Sequence, residues 1–580
     1  MTIVTAPPQD RHPHHPHLGA VDAQVGPVPA IFRASEATAK FSRSNPDWLK
    51  TAEWVLASLL TTTLLYLLFV RATHAGALWR DECAVVQLAN SPSVSDIFRN
   101  FPHEAFPPLF HLTIRGYTAL FGTTDGALRA FGFCVGALLV GAFWINARLF
   151  RKDVPLVALS LLSLSTTFLV WGTTIRGYGL GAMLIVLAFG SIGRLLLKPT
   201  PTQIIAAFFF SVASVQTLLH NGALIPAIAG AAIVVCLFKR DLPRTLLVSA
   251  VCATSLLLFL PYVDAYSRAR DWNIIVRGMP TLSSLFGELE MAWGSAIYAI
   301  PSIWYVVATS LIGLALWRLT TLRRSKSEPQ WTLMWFGLLV LLIATVAYYV
   351  FLRVLSYTPN PWYYLAFICI MASALDLLAA NLCTIASLRW IRLTLAAAAI
   401  SLAPFASWQE ITERQTDVDF VARTLETQAA SSDLIVVSPW QIGIPFHYYY
   451  RGTTPWITLP SITDHQIHRY DLLKAKMLSS TPIDDVTQII QSTLEAGHRV
   501  WFVGGLKIPR GDEPVFLPPA PKSTYKWDSR AYTLSWWQQI SARVLAHANR
   551  ADPVAISRPR YVQVNRLETT PLAVASGWHE

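Results

Sequence analysis

Long apolar runs fill the middle of this 580-residue sequence, and no other feature constrains its fold as strongly. A helix needs about 20 mostly apolar residues to cross a bilayer, and about eleven stretches between residues 52 and 408 approach this length. Only 14% of the residues are charged, against about a quarter in soluble domains. The sequence therefore predicts an α-helical polytopic membrane protein. The predicted spans are 53–71, 127–147, 154–173, 178–196, 202–219, 222–238, 244–262, 294–317, 331–352, 361–381 and 391–407.

Basic residues precede the first predicted span and follow every second one. Cytoplasmic loops are enriched in Lys and Arg, so this pattern places the N-terminus in the cytoplasm and the C-terminus outside. The formal net charge of +11 then reflects topology rather than nucleic-acid binding. The residues that carry the pattern are Arg33, Lys40, Arg43, Lys50, Arg148, Arg151, Lys152, Arg194, Lys198, Lys239, Arg240, Arg244, Arg318, Arg323, Arg324, Lys326, Arg389 and Arg392.

Three parts of the chain differ in composition. Residues 1–50 are polar and rich in Pro and His, which predicts a disordered cytoplasmic N-terminus rather than a signal peptide. Residues 51–408 form the predicted transmembrane domain, with a long first outer loop at 72–126. Residues 409–580 are predicted to form an extracytoplasmic domain. The six Cys have no paired spacing, which argues against a disulfide framework or a zinc site.

The C-terminal part alternates between two periodicities. Residues 415–428 and 483–496 have helical spacing, whereas 433–439 and 498–504 are short apolar runs typical of buried strands. This alternation predicts a small α/β domain with a mostly parallel sheet.

Charged residues of the types that serve in catalysis follow the first span, at Arg80, Asp81 and Glu82. A carboxylate at a membrane surface is destabilised by desolvation and stabilised by a neighbouring cation. This balance suits a general base that stays ionised yet accepts a proton from a hydroxyl. The alternative is a charged helix end that anchors the loop in water.

Further signals lie in the same loop. His103 and Glu104 precede Pro107 and Pro108, and a Pro pair begins a helix but cannot continue one. Residues 109–121 are apolar apart from Arg115 and a few polar side chains, which predicts a helix lying in the membrane interface.

Five motifs together resemble the polytopic glycosyltransferases of the GT-C fold, in particular the protein O-mannosyltransferase and lipid A aminoarabinose transferase group (glycosyltransferase families 39 and 83). The resemblance covers most of the chain after residue 50. It is carried by Trp79-Arg-Asp-Glu82, Pro107-Pro-Leu109, Asp125-Gly-Ala-Leu-Arg129, Ile175-Arg-Gly-Tyr178 and Asn360-Pro-Trp-Tyr-Tyr364.

The resemblance implies a polyprenyl-phosphate sugar donor, an active site outside the membrane and a catalytic acid in the first outer loop. Asp81 matches the first acid and is the expected base, and Glu82 is its partner or an acceptor-orienting group. Glu104 is an expected substrate ligand, although relatives resemble His-Pro-Pro there and this chain inserts Glu-Ala-Phe before its Pro pair.

Arginines near the outer edge are candidate ligands for the donor phosphate, because guanidinium groups bind phosphate in a bidentate manner. Snorkelling of Arg to lipid headgroups is the alternative for each of them. The aromatic residues at 362–364 and 447–450 either form an interfacial belt or offer a surface on which a sugar stacks. The expected substrate-binding residues are Arg80, Glu104, Arg176, Tyr178, Arg268, Arg270 and Arg353, with Arg277 in the same loop as two of them.

These observations predict a membrane glycosyltransferase that transfers one sugar from a polyprenyl phosphate to an acceptor hydroxyl with inversion. The expected partners are the lipid-linked donor, a lipid, glycan or protein acceptor, and membrane lipids. No cofactor is expected and no metal is indicated, since no cluster has clear ligand spacing; the resemblance implies that some members of the group use a divalent metal and others do not. The predicted location is a bacterial inner membrane. A transporter or flippase of lipid-linked sugars is the alternative, and a non-catalytic scaffold that binds a cell-wall polymer is a third.

Overall fold

The computed structural model of this chain is mostly helical outside its C-terminal part. It describes residues 47–104, 106–151, 153–264, 280–294, 299–321, 329–355, 359–383, 386–508, 515–521, 528–559 and 562–580. In chain order the helices are α1 (Asp47–His74), α2 (Arg80–Ala89), α3 (Val94–Arg99), α4 (Phe101–Glu104), α5 (Pro108–Phe121), α6 (Asp125–Arg151), α7 (Leu156–Ser163), α8 (Thr166–Trp171), α9 (Gly177–Leu195), α10 (Pro201–Val215), α11 (Asn221–Phe238), α12 (Leu242–Leu257), α13 (Leu282–Trp293), α14 (Ala299–Thr321), α15 (Pro329–Leu355), α16 (Leu365–Leu382), α17 (Ala386–Thr412), α18 (Val418–Gln428), α19 (Gly443–Tyr449), α20 (Tyr470–Leu478), α21 (Asp484–Glu495) and α22 (Ser529–His547).

Within these described residues, nine helices are long and apolar enough to cross a membrane. They confirm the predicted polytopic architecture. Exposed Leu, Phe and Val side chains on their outer faces are what a lipid-facing surface requires. The candidate spans are Trp48–His74, Asp125–Phe150, Gly177–Leu195, Asn221–Phe238, Leu242–Tyr262, Ala299–Thr321, Pro329–Leu355, Pro361–Leu382 and Ser387–Thr412.

Two of the eleven predicted spans differ from the structure. The segment 154–173 is not one helix but the short pair α7 and α8. The break is stabilised locally, because the Ser165 side chain accepts a hydrogen bond from the Phe168 amide and donates one to the carbonyl of Ala292. The segment 202–219 contains α10, which has only 15 residues. Apolar composition alone did not reveal either shortening.

The start of α7 is held by a carboxylate from inside another helix. Asp376, on α16, accepts hydrogen bonds from the amides of Val157 and Ala158 at 2.9 and 3.2 Å. These amides belong to the first turn of α7 and have no partner within that helix. Asp376 therefore serves as a helix cap supplied by a neighbouring span.

The first outer loop folds into four helices, α2 to α5. As predicted, α5 begins at the Pro pair, with Pro108 at its first position. Its buried residues are Phe110, His111, Ile114 and Thr118, whereas Leu120 and Phe121 are largely exposed. An amphipathic helix of this kind suits a membrane interface.

The C-terminal part forms the predicted α/β domain around a five-stranded sheet. Its strands are β1 (Leu434–Val437), β2 (Trp456–Thr458), β3 (Arg499–Val503), β4 (Arg550–Val554) and β5 (Leu572–Ser576), in the order β2-β1-β3-β5-β4. The β1–β2 and β1–β3 pairs are parallel, but β5 is antiparallel to both β3 and β4. The sheet is therefore mixed rather than mostly parallel.

This domain packs on one end of the helical bundle, which we call the domain end. The hydroxyl of Tyr449 donates to Asp125 Oδ1 at 2.8 Å and accepts from the Leu78 amide at 2.6 Å. The hydroxyl of Tyr448 donates to the carbonyl of Thr123 at 2.9 Å. The domain is thus joined to both ends of the first outer loop.

The opposite end of the bundle contains a buried network of ion pairs. Glu53 on α1 contacts Arg389 and Arg392 on α17 at 2.9 and 3.4 Å, and Arg392 also contacts Asp153 at 3.2 Å. Arg389 and Arg392, which are among the residues of the predicted cytoplasmic charge, therefore also hold α1 and α17 together.

Candidate active site

Asp81 lies in the first turn of α2, at the domain end, with a quarter of its side chain exposed. Three cationic or titratable side chains surround its carboxylate. Oδ1 lies 3.5 Å from Arg80 Nε and 3.4 Å from His468 Nε2, and Oδ2 lies 3.6 Å from Arg176 Nη2. The predicted base is therefore accessible and held in an electropositive setting.

Arg176 joins the two acids of the predicted site. Its Nη1 donates to Glu104 Oε2 at 2.9 Å and to the backbone carbonyl of Asp81 at 3.0 Å. The guanidinium also lies over the ring of Phe106, 4.4 Å from its centroid. α9 begins at the next residue, Gly177, where a Cβ would stand 2.7 Å from the Phe106 ring. The absence of a side chain at Gly177 is what lets the Arg176 turn approach Phe106.

Glu104 is at the end of the short helix α4 and is almost completely buried. Its two carboxylate oxygens have different partners: Oε2 accepts from Arg176, and Oε1 lies 3.0 Å from His468 Nδ1. Glu104 thus brings a second carboxylate to the surroundings of Asp81.

His468 was missed in the sequence analysis and comes from the C-terminal domain, just before α20. It joins the two acids by opposite edges of its ring, with Nε2 toward Asp81 and Nδ1 toward Glu104. Trp440 and Tyr470 pack around the imidazole with ring centroids 6.4 and 5.9 Å away. We define Asp81, Glu104, Arg176 and His468 as the acid–His–Arg cluster.

The protonation of the cluster follows from its contacts. Burial raises the pKa of Asp81, but Arg176 and the hydrogen bond from His468 outweigh burial and hold this pKa well below its usual range. Burial also raises the pKa of Glu104, and His468 and Arg176 again lower it overall. For His468, burial lowers the pKa while the two carboxylates raise it, to about 9. At neutral pH the cluster therefore holds two carboxylates between an imidazolium and a guanidinium.

Glu82 occupies a different environment from its neighbour in sequence. Its side chain is fully buried, and it forms a bidentate pair with Arg129 at 2.7 and 3.0 Å. It also accepts from the amides of Ile175 and Trp79 at 2.9 and 3.3 Å. Glu82 therefore fixes the backbone immediately before both Arg176 and Arg80.

The other predicted ligands that the structure describes have contacts of their own. Arg80 also lies 3.6 Å from Glu568, in the C-terminal domain. Tyr178 packs against Phe106 with ring centroids 5.4 Å apart. Arg353, near the end of α15, donates to the carbonyl of Pro280 at 2.7 Å.

Arg268, Arg270 and Arg277 lie outside the described residues. In the part of the chain that is described, no group of three or more His, Cys, Asp and Glu residues is arranged to hold a metal ion. The expectation of a metal-free reaction stays a prediction.

We expect the His468 imidazole to titrate with an apparent pKa of about 9, well above the value of about 6.5 for a free imidazole. The raised pKa means that His468 stabilises the fold fully below about pH 6.5, and this contribution is lost as the pH rises through the folded value. NMR of protein labelled at the histidine Cε1 would measure the titration. The signal that is absent from the spectrum of the His468→Gln variant belongs to His468. The difference in melting temperature between wild type and this variant should vanish above pH 9.

A matched control for this titration is His579→Gln, since His579 is an exposed histidine near the end of the same domain. Its loss should not change the high-pKa signal. An apparent pKa near 6 for His468 would contradict the paired arrangement.

Comparison with known proteins adds a likeness in fold. No family model and no curated protein matches the chain. Two solved structures of ArnT from Cupriavidus metallidurans are similar to it, one bound to undecaprenyl phosphate and one in the apo state. The first has a TM-score of 0.49 and 11% identity over 78% of this chain and 93% of ArnT. The second has a TM-score of 0.48 and 12% identity over 77% and 92%.

At this level of similarity the likeness concerns the arrangement of the chain alone. The function proposed below depends on the geometry around Asp81.

Proposed function

We propose that the chain is a membrane glycosyltransferase that moves one sugar from a polyprenyl-phosphate donor to an acceptor hydroxyl. The observation that carries this proposal is the acid–His–Arg cluster at one end of the membrane bundle. In it the ionised and partly exposed carboxylate of Asp81 lies beside the cationic side chains of Arg176 and His468. Glycosyl transfer from a phosphate needs both parts: a base for the acceptor and positive charge for the leaving group.

Asp81 is the proposed base. The acceptor oxygen forms a bond to the anomeric carbon while the bond from that carbon to the phosphate oxygen breaks, and the hydroxyl proton passes to Asp81. Displacement from the opposite face inverts the anomeric configuration. The low pKa of Asp81 keeps it ionised at physiological pH but makes it a weak base. We therefore propose that the proton leaves late, once the attacking oxygen has become acidic by forming its new bond.

The remaining members of the cluster have positioning roles in this proposal. Arg176 and His468 hold both carboxylates, and His468 makes the C-terminal domain part of the site. Arg80 is the more exposed guanidinium, with about a third of its side chain accessible, and we assign it to the departing phosphate. Arg176 is less exposed and is paired with both Asp81 and Glu104.

The location of the site supports an extracytoplasmic reaction. The cluster is at the domain end, and the basic loops of the sequence predominate at the opposite ends of the spans. We propose that the N-terminus is cytoplasmic, that the C-terminal domain is outside, and that the membrane is a bacterial inner membrane.

An almost wholly apolar groove of about 510 Å³ supports a prenyl-linked donor. Leu112 of α5 and Val212 of α10 line it, together with Tyr262. The ring of Tyr262 stacks on Phe101 at 5.2 Å, and Phe101 begins the short helix that ends at Glu104. The groove is therefore close to the cluster and suited to part of a polyisoprenoid chain.

Filling this groove by Val212→Trp is expected to lower kcat/KM for a long-chain donor at least tenfold, or ~1.4 kcal/mol. The loss should appear mainly in KM, because the chain is bound equally in the ground and transition states. A donor with a two-isoprene chain should be affected much less. Kinetics with the two donors side by side would measure the difference.

Leu246→Trp is the control for the groove, since Leu246 is exposed on α12 and does not line it. Equal losses with short and long donors, or an equal loss in the control, would argue against prenyl binding in this groove.

Turnover of a panel of polyprenyl-phosphate pentoses, hexoses and uronic acids by purified protein tests the proposed function. Membrane extract serves as a mixed acceptor source. The proposal is supported if one donor is consumed and its sugar is transferred to a component of the extract with inverted anomeric configuration. If no donor is consumed while liposomes containing the protein move the lipid between leaflets, the protein is a transporter.

One feature favours this transporter alternative. The broken pair α7 and α8, capped by a carboxylate inside a span, resembles the discontinuous helices of transporters. However, the Asp376 carboxylate is used by the backbone of α7, and the exposed acid lies at the domain end. Transfer therefore remains the better supported function.

A further inference from the structure

A second cavity of about 190 Å³ lies at the domain end, apart from the residues of the acid–His–Arg cluster. One wall is aromatic and comes from the end of α8 and the start of the Pro361–Tyr364 turn. The facing wall is polar and comes from the end of α17 with the turn that follows it, and from Asn565 of the C-terminal domain. The cavity is thus built by both the membrane bundle and the C-terminal domain.

The polar wall carries groups whose hydrogen-bonding capacity is unused within the described chain. The carboxylates of Glu410 and Glu413 form no hydrogen bond or ion pair with any residue that the structure describes. The side-chain amide nitrogens of Gln415 and Asn565 likewise donate to none of the described residues. Gln415 is only 5% exposed, and its side chain lines this cavity. Two acceptors and two donors therefore line one small cavity.

The turn that presents these groups is held rigidly. Arg71 of α1 donates to the carbonyls of Glu410 and Glu413 at 3.3 and 2.6 Å and to the side-chain oxygen of Gln415. Arg71 is almost fully buried and is committed to these bonds. The two carboxylates form no direct ion pair with the residues that the structure describes. The guanidinium groups of Arg71 and Arg414 also line the cavity, but Arg414 is paired with Asp419 at 2.7 Å. The lining therefore keeps a net negative charge, which disfavours an anionic ligand.

The aromatic wall consists of Trp171 and Trp362, whose ring centroids are 4.2 Å apart. Both indoles are partly exposed. A sugar ring has an apolar face of C–H bonds that packs on an indole, and a rim of hydroxyls that both donate and accept hydrogen bonds. A sugar ring therefore uses aromatic surface, carboxylates and amides together.

We propose that this cavity, between the Trp171–Trp362 pair and the Glu410–Gln415 turn, binds a single sugar ring that carries free hydroxyls and no carboxyl or phosphate group. Glu410 and Glu413 accept hydrogen bonds from its hydroxyls, and Gln415 and Asn565 donate to them. One ring fills a cavity of this volume, since pockets for larger ligands begin at about 300 Å³.

The cavity is connected to the proposed reaction through Trp171. This ring contacts Trp79, two residues before Asp81, at 5.7 Å, and Tyr178, two residues after Arg176, at 6.4 Å. The origin of the bound sugar rests on the proposed function, since the sugar is part of either the donor or the acceptor. Binding itself does not require turnover.

Saturation-transfer NMR on the full chain in nanodiscs would test the cavity, with the methyl glycosides of glucose, galactose, mannose, xylose, arabinose and glucuronic acid as probes. We expect at least one neutral glycoside to receive saturation, and methyl glucuronide to receive none. Glu413→Gln and Trp362→Ala should each weaken binding at least fivefold, and Trp362→Phe should restore part of it. Glu495→Gln, an exposed carboxylate on α21, is the matched control.

The proposal is overturned if no neutral glycoside binds, or if binding survives both Glu413→Gln and Trp362→Ala in folded protein. Displacement of the glycoside by a polyprenyl-phosphate sugar, but not by polyprenyl phosphate alone, assigns the cavity to the donor. Binding that survives the lipid-linked sugar but is displaced by acceptor extract assigns it to the acceptor. If the glycoside binds while no donor is ever consumed, the sugar site stands and the proposed transferase function fails.

Discussion

Replacing Asp81 with Asn is expected to slow sugar transfer by about two to four orders of magnitude, the contribution of a general base. Asn is nearly isosteric with Asp and still accepts a hydrogen bond from His468 or Arg176, but it cannot take up the acceptor proton. The loss should appear in kcat, because proton transfer belongs to the transition state rather than to binding. Initial rates with the preferred donor would measure the effect.

The control for this prediction is Asp96→Asn in the same outer loop. Asp96 has a similarly exposed side chain and caps α3, but it does not contact the cluster. Its replacement should leave the rate within about twofold and stability within about 0.5 kcal/mol, because Asn still accepts the hydrogen bonds from Ser93. A rate for Asp81→Asn within fivefold of wild type would remove Asp81 from the role of base.

The sequence predicted most of the apolar membrane helices because their signal is local. Apolar runs and their basic flanks reveal the spans residue by residue, and the acid pair directly follows the first of them. The two shortened spans escaped prediction because their cause is not hydropathy. The break between α7 and α8 depends on Ser165, which bonds to a helix far away in sequence.

His468 could not be predicted, because its role arises from two partners distant in sequence. It stands in a polar run of the C-terminal domain, and no motif spacing relates it to Asp81 or Glu104. Only the packing of the domain on the first outer loop brings the three side chains together. The β4 strand escaped prediction for a different reason, because it contains Pro553 at an exposed sheet edge and has no apolar run.

Glu82 was expected to be the partner of Asp81 or an acceptor-orienting group, and helix geometry points the two side chains in different directions. Consecutive residues of an α-helix project about 100° apart, so Asp81 and Glu82 at the start of α2 face different surroundings. Asp81 faces the cluster and solvent, whereas Glu82 faces Arg129. We therefore propose that Glu82 acts on the reaction by positioning the backbone around it rather than by touching substrate.

Glu82→Gln is accordingly expected to destabilise the fold by about 3–5 kcal/mol, the cost of breaking a buried ion pair by removing one partner. Arg129 would keep its bonds to the carbonyls of Gly76 and Ala77 at 3.0 and 2.8 Å, but its buried charge would lose its counter-charge. The apparent melting temperature in detergent would report the loss, with Glu495→Gln, an exposed change, expected to stay within about 0.5 kcal/mol of wild type.

Replacing both partners by Glu82→Leu and Arg129→Met would show which contacts of Glu82 matter. The double change removes the unpaired charge, and on that ground alone it should restore most of the stability. It also leaves the amides of Ile175 and Trp79 without an acceptor, at about 1–3 kcal/mol for each buried group. Incomplete rescue, with transfer still impaired, is therefore the expected result. If Glu82→Gln instead melts like wild type yet transfers no sugar, Glu82 takes part in the chemistry and the positioning role is wrong.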